Sequence, residues 1–182
     1  MVDTPKGVED FTVRGEGNLV TLGDGSRCTR ILVIGHRNTI RVGARCRLNG
    51  QIVIKCDDGL IEIGDETSSM GIRLHMHETS HIVIGRDCMF SGGISMDTSD
   101  NHSIIDVASG KRINPCKPIA IGDHVWVGQH STILKGATIG SHSVIGAGSI
   151  VRGAIPDNSL AVGSPAKVIR SGVTWDRRRL PA

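Results

Sequence analysis

The chain has 182 residues and a net charge of +3, which suits a single domain and is too small a charge to argue for a nucleic-acid partner. Hydrophobic residues make up 38% of it but aromatic residues only 2%, with no Tyr and 24 Gly, which argues against a globular core built on rings and for a narrow one built on aliphatics. No apolar run approaches the length of a membrane span and the polar start over residues 1–10 is no signal peptide, which predicts a cytoplasmic protein.

Residues 1–18 show no repeat and are rich in charge and glycine; they read as an N-terminal arm or cap. Further on, an aliphatic-x-aliphatic-Gly unit recurs as Ile40-Arg41-Val42-Gly43, Ile61-Glu62-Ile63-Gly64, Ile82-Val83-Ile84-Gly85 and Ile119-Ala120-Ile121-Gly122. The first two steps are 21 residues each, a coil of about 18 with a few inserted at a corner. The step from Ile84 to Ile121 is 37 residues. Allowing one coil, about 19 residues are surplus. They fall in residues 97–118, where the period vanishes and Asp97, Asp100, His102 and Asp106 collect. A long polar loop in a compact fold is read as functional.

From Ile121 onward the pattern is strict: Ile121, Val127, Ile133, Ile139, Ile145 and Val151 stand six residues apart. Gly122, Gly128, Gly140 and Gly146 follow four of them, and Ser131, Ala137, Ser143 and Ser149 supply small residues at a fixed offset. Neither the helical period nor strand alternation produces this, whereas a period of six is the hexapeptide signature of a parallel β-helix. Each hexapeptide forms one short strand and turn of a triangular prism. The aliphatic residue points inward, the small one fits the corner, and glycine permits the tight backbone. The predicted fold is therefore all-β, a parallel β-helix over residues 19–168 with a protruding loop at 97–118. Residues 169–182, with Trp175 and Arg177-Arg178-Arg179, are expected to be a solvated tail. Cys28, Cys46, Cys56, Cys88 and Cys116 are odd in number and lack CxxC spacing, so they read as small apolar fillers.

Residues 119–170 resemble the C-terminal half of the left-handed β-helix acyltransferases, in the branch of galactoside and capsular-polysaccharide O-acetyltransferases. The resemblance is carried by Ile121-Gly122-Asp123-His124-Val125-Trp126-Val127-Gly128, by Ile145-Gly146-Ala147-Gly148-Ser149 and by Gly163-Ser164-Pro165-Ala166-Lys167-Val168-Ile169-Arg170. The loop Thr98-Ser99-Asp100-Asn101-His102-Ser103-Ile104-Ile105-Asp106 resembles the active-site loop of the polysaccharide enzymes. The family implies left-handedness, a homotrimer with sites between protomers, acetyl-CoA as donor and a sugar or polysaccharide hydroxyl as acceptor. It implies no metal.

An alcohol is a poor nucleophile while it keeps its proton, so the reaction needs a base, and His102 stands where the family has its catalytic histidine. Its second ring nitrogen needs an acceptor; Asp100 and Asp106 are both near enough in sequence, and the choice between them is open. Trp126 is flanked by Val125 and Val127 and so points outward; the resemblance places it at the donor and acceptor site. It also implies a backbone oxyanion donor at Gly128 or Gln129. Along the coenzyme it implies Ala147 beside the pantetheine arm, with Arg152, Gly153, Lys167 and Arg170 toward the phosphates. Arg152 and Gly153 depart from the Thr-Lys usual in the galactoside branch. Direct transfer is expected, since no Cys or Ser has an evident activating arrangement. Three rivals are an acetyltransferase for an antibiotic or amino sugar, a zinc-dependent carbonic-anhydrase-like enzyme using histidines such as His75, His77, His81 and His124, and a non-catalytic scaffold.

Overall fold

The computed structural model describes residues 4–181, and every regular element among them is a strand. Four strands turn a corner: Val8–Arg14, Arg27–Ile34, Arg47–Ile54 and Ser68–Met76. Register slips between Cys28 and Arg30 and between Leu48 and Gly50 mark the bend. Beyond them the two faces separate. Met89–Phe90, Trp126–Val127, Val144–Ile145 and Ser159–Gly163 continue the first; Ile94–Asp97, Thr132–Leu134 and Ile150–Val151 continue the second. The third face is a ladder of seven parallel strands running from Leu19–Leu22 to Ala154–Ile155. The result is a left-handed parallel β-helix of about seven turns.

The period of six is what fills the prism. Ile121, Val127, Ile133, Ile139, Ile145 and Val151 are all buried, as are the small residues Ser131, Ala137, Ser143 and Ser149. The serines also answer a polar need, because a corner turns backbone carbonyls away from the ladder. Ser131 Oγ donates to the Gly128 carbonyl at 2.8 Å, and Ser149 Oγ to that of Gly146 at 2.6 Å. The glycines after the aliphatics are demanded by the next coil: a Cβ on Gly140 would lie 2.4 Å from the Asp157 nitrogen.

Two expectations are corrected at the ends. The N-terminal arm, of which residues 1–3 lie outside the described residues, is not an arm from Val8 onward. Val8–Arg14 pairs in parallel with Arg27–Ile34, Phe11 beside Ile31 and Val13 beside Val33, so the coil stack begins before residue 19. The tail is not simply solvated either. Ala166–Ser171 turns back antiparallel on Ser159–Gly163, and Trp175 is buried, at 8% exposure.

Candidate active site

The excursion leaves the second face after Asp97 and rejoins the helix at Ile119. It holds one bridge of its own, Ile105 with Arg112. Its shape is set by Asn114, which is buried at 7% exposure. The Asn114 amide donates to Asp100 Oδ2 at 2.7 Å and to the His102 carbonyl at 2.8 Å, while its oxygen accepts the Ile104 N–H at 2.7 Å and Arg112 Nε at 3.1 Å. Arg112 in turn grips Glu78 with two bonds of 2.7 Å, tying the loop to the coil body. The Arg112 hydrogen bonds hold the Glu78 carboxyl below the usual range.

This scaffolding uses both acids expected to orient His102. Asp100 accepts from Lys135 Nζ as well as from Asn114, and these bonds, that from Lys135 foremost, depress its pKa. Asp106 caps the turn below it, accepting from the Ser109 hydroxyl at 2.5 Å and the Ser109 N–H at 2.8 Å. Neither carboxylate bonds the imidazole; within the protomer they position the loop rather than the ring. His102 itself is exposed, and among the described residues its ring has no hydrogen-bond partner. The sequence reading missed Asn114, Lys135, Arg112 and Glu78. Asn114 and Arg112 lie within the recognised loop and are polar, which was a usable signal; Lys135 and Glu78 are brought there only by coiling.

Trp126 stands on the first face with Val125 and Val127 buried on either side and is itself 36% exposed. Its Nε1 points to Ser91 Oγ at 3.5 Å. At the following corner the two expected oxyanion donors part company. The Gly128 N–H is spent on the Ile145 carbonyl at 2.7 Å, so it is unavailable. The Gln129 N–H has no backbone partner among the described residues, and the residue is exposed. Directly below, Ala147 is exposed at the same corner, and a Cβ on Gly128 would lie 2.6 Å from its nitrogen.

Further toward the C-terminal end Arg152, Gly153 and Lys167 line one cavity of about 430 Å³ together with Val151, Ala154, Ile155, Pro165 and Ala166. Arg170 is not among its walls; it pairs with Leu160 on the returning strand. In the other direction the corner of Gln129 and Ala147 continues as a groove of about 550 Å³ lined by Gly50, Gly71 and Gly93, with Arg30, Gln51 and Arg73. Gly93 has a φ of 73°, and a Cβ there would meet the His130 ring at 2.4 Å.

The remaining histidines go elsewhere. His75 and His77 meet edge-on at 5.7 Å, and burial pushes both below the ordinary imidazole value. His81 is exposed at the start of the next strand, and His124 binds Asp87. Among the described residues no three His, Cys, Asp or Glu side chains form a group that fits an ion. The buried thiols of Cys28 and Cys88 are pushed up to about 11 by desolvation, which suits fillers rather than nucleophiles.

Comparison with known proteins agrees with this architecture. Residues 118–153 match the family described as Bacterial transferase hexapeptide (six repeats). The chain is 29% identical over 154 residues to the polysialic acid O-acetyltransferase of Neisseria meningitidis, covering 71% of this chain and 72% of that protein. It is 32% identical over 144 residues to the putative lipopolysaccharide biosynthesis O-acetyl transferase WbbJ of Escherichia coli K12, covering 63% of this chain and 73% of that one. The crystal structure of the polySia-specific acetyltransferase NeuO aligns with a TM-score of 0.74 at 29% identity, over 94% of this chain and 88% of the other. On the coiled architecture, the strict repeat and these kinships, the chain belongs to the hexapeptide-repeat acetyltransferases.

Proposed function

We propose that this acetyltransferase moves an acetyl group from acetyl-CoA to a hydroxyl of a cell-envelope polysaccharide, with His102 as general base. The observation that carries the reading is the exposed, unpartnered imidazole of His102 on a loop whose backbone is pinned by Asn114. A surface loop with no task would not need a buried amide making four hydrogen bonds.

In this mechanism His102 takes the acceptor hydroxyl proton as that oxygen attacks the thioester carbon. The Gln129 N–H donates to the carbonyl oxygen as it gains charge. When the C–S bond breaks, the His102 proton passes to the departing coenzyme thiolate, restoring the neutral ring. Trp126 flanks the thioester. Ala147 leaves room for the pantetheine arm, and Arg152, Gly153 and Lys167 receive the phosphates. Arg170 lies outside that cavity and is given no phosphate contact. The long groove past Gly93, Gly71 and Gly50 suits a polymeric acceptor better than a drug-sized one.

His102 and Trp126 belong to different parts of the prism: the loop leaves the second face, whereas Trp126 lies on the first. The loop also exposes Ile104, Ile105, Val107 and Ile113, which favours cover by a neighbour. Both features support a homotrimer whose site closes across a subunit boundary. Thiol release from acetyl-CoA, assayed with envelope polysaccharides, monosaccharides and antibiotics, tests the whole reading. Turnover is expected with hydroxyl-bearing glycan polymers. His102→Ala should lower it by about 10²–10⁴-fold with coenzyme binding retained; substantial turnover in that variant moves the base elsewhere.

A further inference from the structure

After Ala166–Ser171 the chain passes Gly172 and runs down the corner between the third and first faces. It is fastened at several of the coils it crosses. The Val173 N–H donates to the Asn158 carbonyl at 2.9 Å, and Asn158 Nδ2 returns a bond to the Val173 carbonyl at 3.1 Å. Two coils on, Trp175 and His124 are joined three ways. Trp175 Nε1 donates to the His124 carbonyl at 2.8 Å, His124 Nε2 meets the Trp175 carbonyl at 2.9 Å, and the two rings stack at 4.3 Å and 9°. The other imidazole nitrogen of His124 bonds Asp87 at 2.7 Å. Arg177 completes the attachment, donating to Asp87 at 2.9 and 3.1 Å and to Ser68 Oγ at 3.0 Å, with its guanidinium 5.4 Å from the Trp175 ring.

A terminal segment that serves only to end a coil stack needs to cover the last coil. This one instead reaches back over Asn158, His124, Asp87 and Ser68, four corners of the helix. The place it reaches is informative. His124 is two residues before Trp126, and the Trp175 ring lies 6.2 Å from that of Trp126, tilted by 50°. Trp126 has little else to hold it: its polar contact is the long one to Ser91, and its ring is otherwise part exposed. An indole that must present its N–H and face to a reacting group needs a wall, and Trp175 is the rigid aromatic surface at that flank.

We propose that residues 173–177 form a strap that positions Trp126, with Trp175 as the positioning residue and Arg177 as its anchor on Asp87. The proposal rests on the role assigned above to Trp126. Trp175 touches no substrate; it acts by limiting the orientations open to the neighbouring indole, so its loss should appear in kcat rather than in coenzyme affinity.

The chain contains two Trp, so replacing Trp175 leaves Trp126 as the single indole and makes its environment directly readable. Trp175→Phe, Trp175→Ala, Arg177→Gln and Trp126→Ala are compared for kcat, KM for acetyl-CoA, thermal melting and, in the Trp175 variants, acrylamide quenching of Trp126. Trp175→Ala is expected to lower kcat by about ten- to a hundredfold while KM stays within about twofold, and to leave Trp126 more open to quencher than in Trp175→Phe. Trp175→Phe keeps an aromatic wall and should retain most of kcat, with Arg177→Gln between the two. Wild-type kcat in Trp175→Ala, equal quenching in both Trp175 variants, or a kcat loss matched by the fraction unfolded overturns the strap's role. An impaired Trp126→Ala beside an unaffected Trp175→Ala overturns the positioning role alone. A fully active Trp126→Ala removes Trp126 from the site and the positioning role with it.

Discussion

Asn114 shows how one side chain converts a polar excursion into a defined site. Its amide is buried and holds Asp100, Arg112, the Ile104 N–H and the His102 carbonyl in one cluster. Replacing it with Ala strands several of these groups, each costing about 1–3 kcal/mol where water cannot reach it. The cost falls on the loop rather than on the coils, which are packed independently of it. Asn114→Ala is therefore expected to reduce kcat severely while shifting the melting temperature little, as paired kinetics and melts will check. The Lys135–Asp100 contact has a defined pH sense. Lys135 and Asn114 depress the Asp100 pKa in the folded loop, so the support is complete above the ordinary Asp value and is lost as pH falls through the depressed one. Limited proteolysis along a falling pH series, with a protease active in acid, should show cleavage between residues 97 and 118 appearing only below the ordinary Asp value.

Among the coils, two glycines behave differently, one inside the strict repeat and one just past it. A Cβ on Gly140 would lie 2.4 Å from the Asp157 nitrogen and 2.7 Å from the Pro156 carbonyl carbon, both backbone atoms that move only with the coil. Gly153 meets nothing within 4 Å and has no positive φ. Gly140→Ala should therefore destabilise by about 1–3 kcal/mol, and Gly153→Ala should leave the melt unchanged. The same close stacking explains the N-terminal coil. A Cβ on Gly15 would lie 2.0 Å from the Gly35 carbonyl, the same relation that Gly35 bears to Cys56. That recurrence, at a spacing of about one coil, shows only once the coils are stacked; residues 1–18 carry no aliphatic-x-aliphatic-Gly unit, so Val8–Arg14 was not legible as a rung in the sequence.

For the whole molecule, the separation of His102 from Trp126 has a direct consequence for assembly. If the proposed site takes His102 from one protomer and Trp126 from the next, His102→Ala and Trp126→Ala chains are each inactive alone. Random co-assembly of equal amounts of the two chains should recover about one quarter of wild-type turnover, because each mixed trimer has about one boundary in three with both residues intact and the homotrimers have none. No recovery in verified mixed trimers would place both residues in one subunit's site. The strap joins this picture from the other end, since the chain that carries Lys167 at the expected phosphate cavity continues directly into Trp175 beside Trp126.

The sequence by itself determined the solenoid, because a period of six is a purely local rule: each aliphatic residue from Ile121 to Val151 faces inward whatever the rest of the chain does. It also located the excursion and the outward Trp126, which depend only on where that period breaks and which way a strand residue points. Only the tertiary structure decided what Asp100 and Asp106 hold, which of Gly128 and Gln129 keeps a free N–H, and where Trp175 and Arg177 are fastened. Those answers depend on pairs such as Lys135 with Asp100, His124 with Trp175 and Asp87 with Arg177, separated by 35, 51 and 90 residues. No local pattern encodes such a meeting; the number of residues in each coil does, and that is settled only when the coils are stacked.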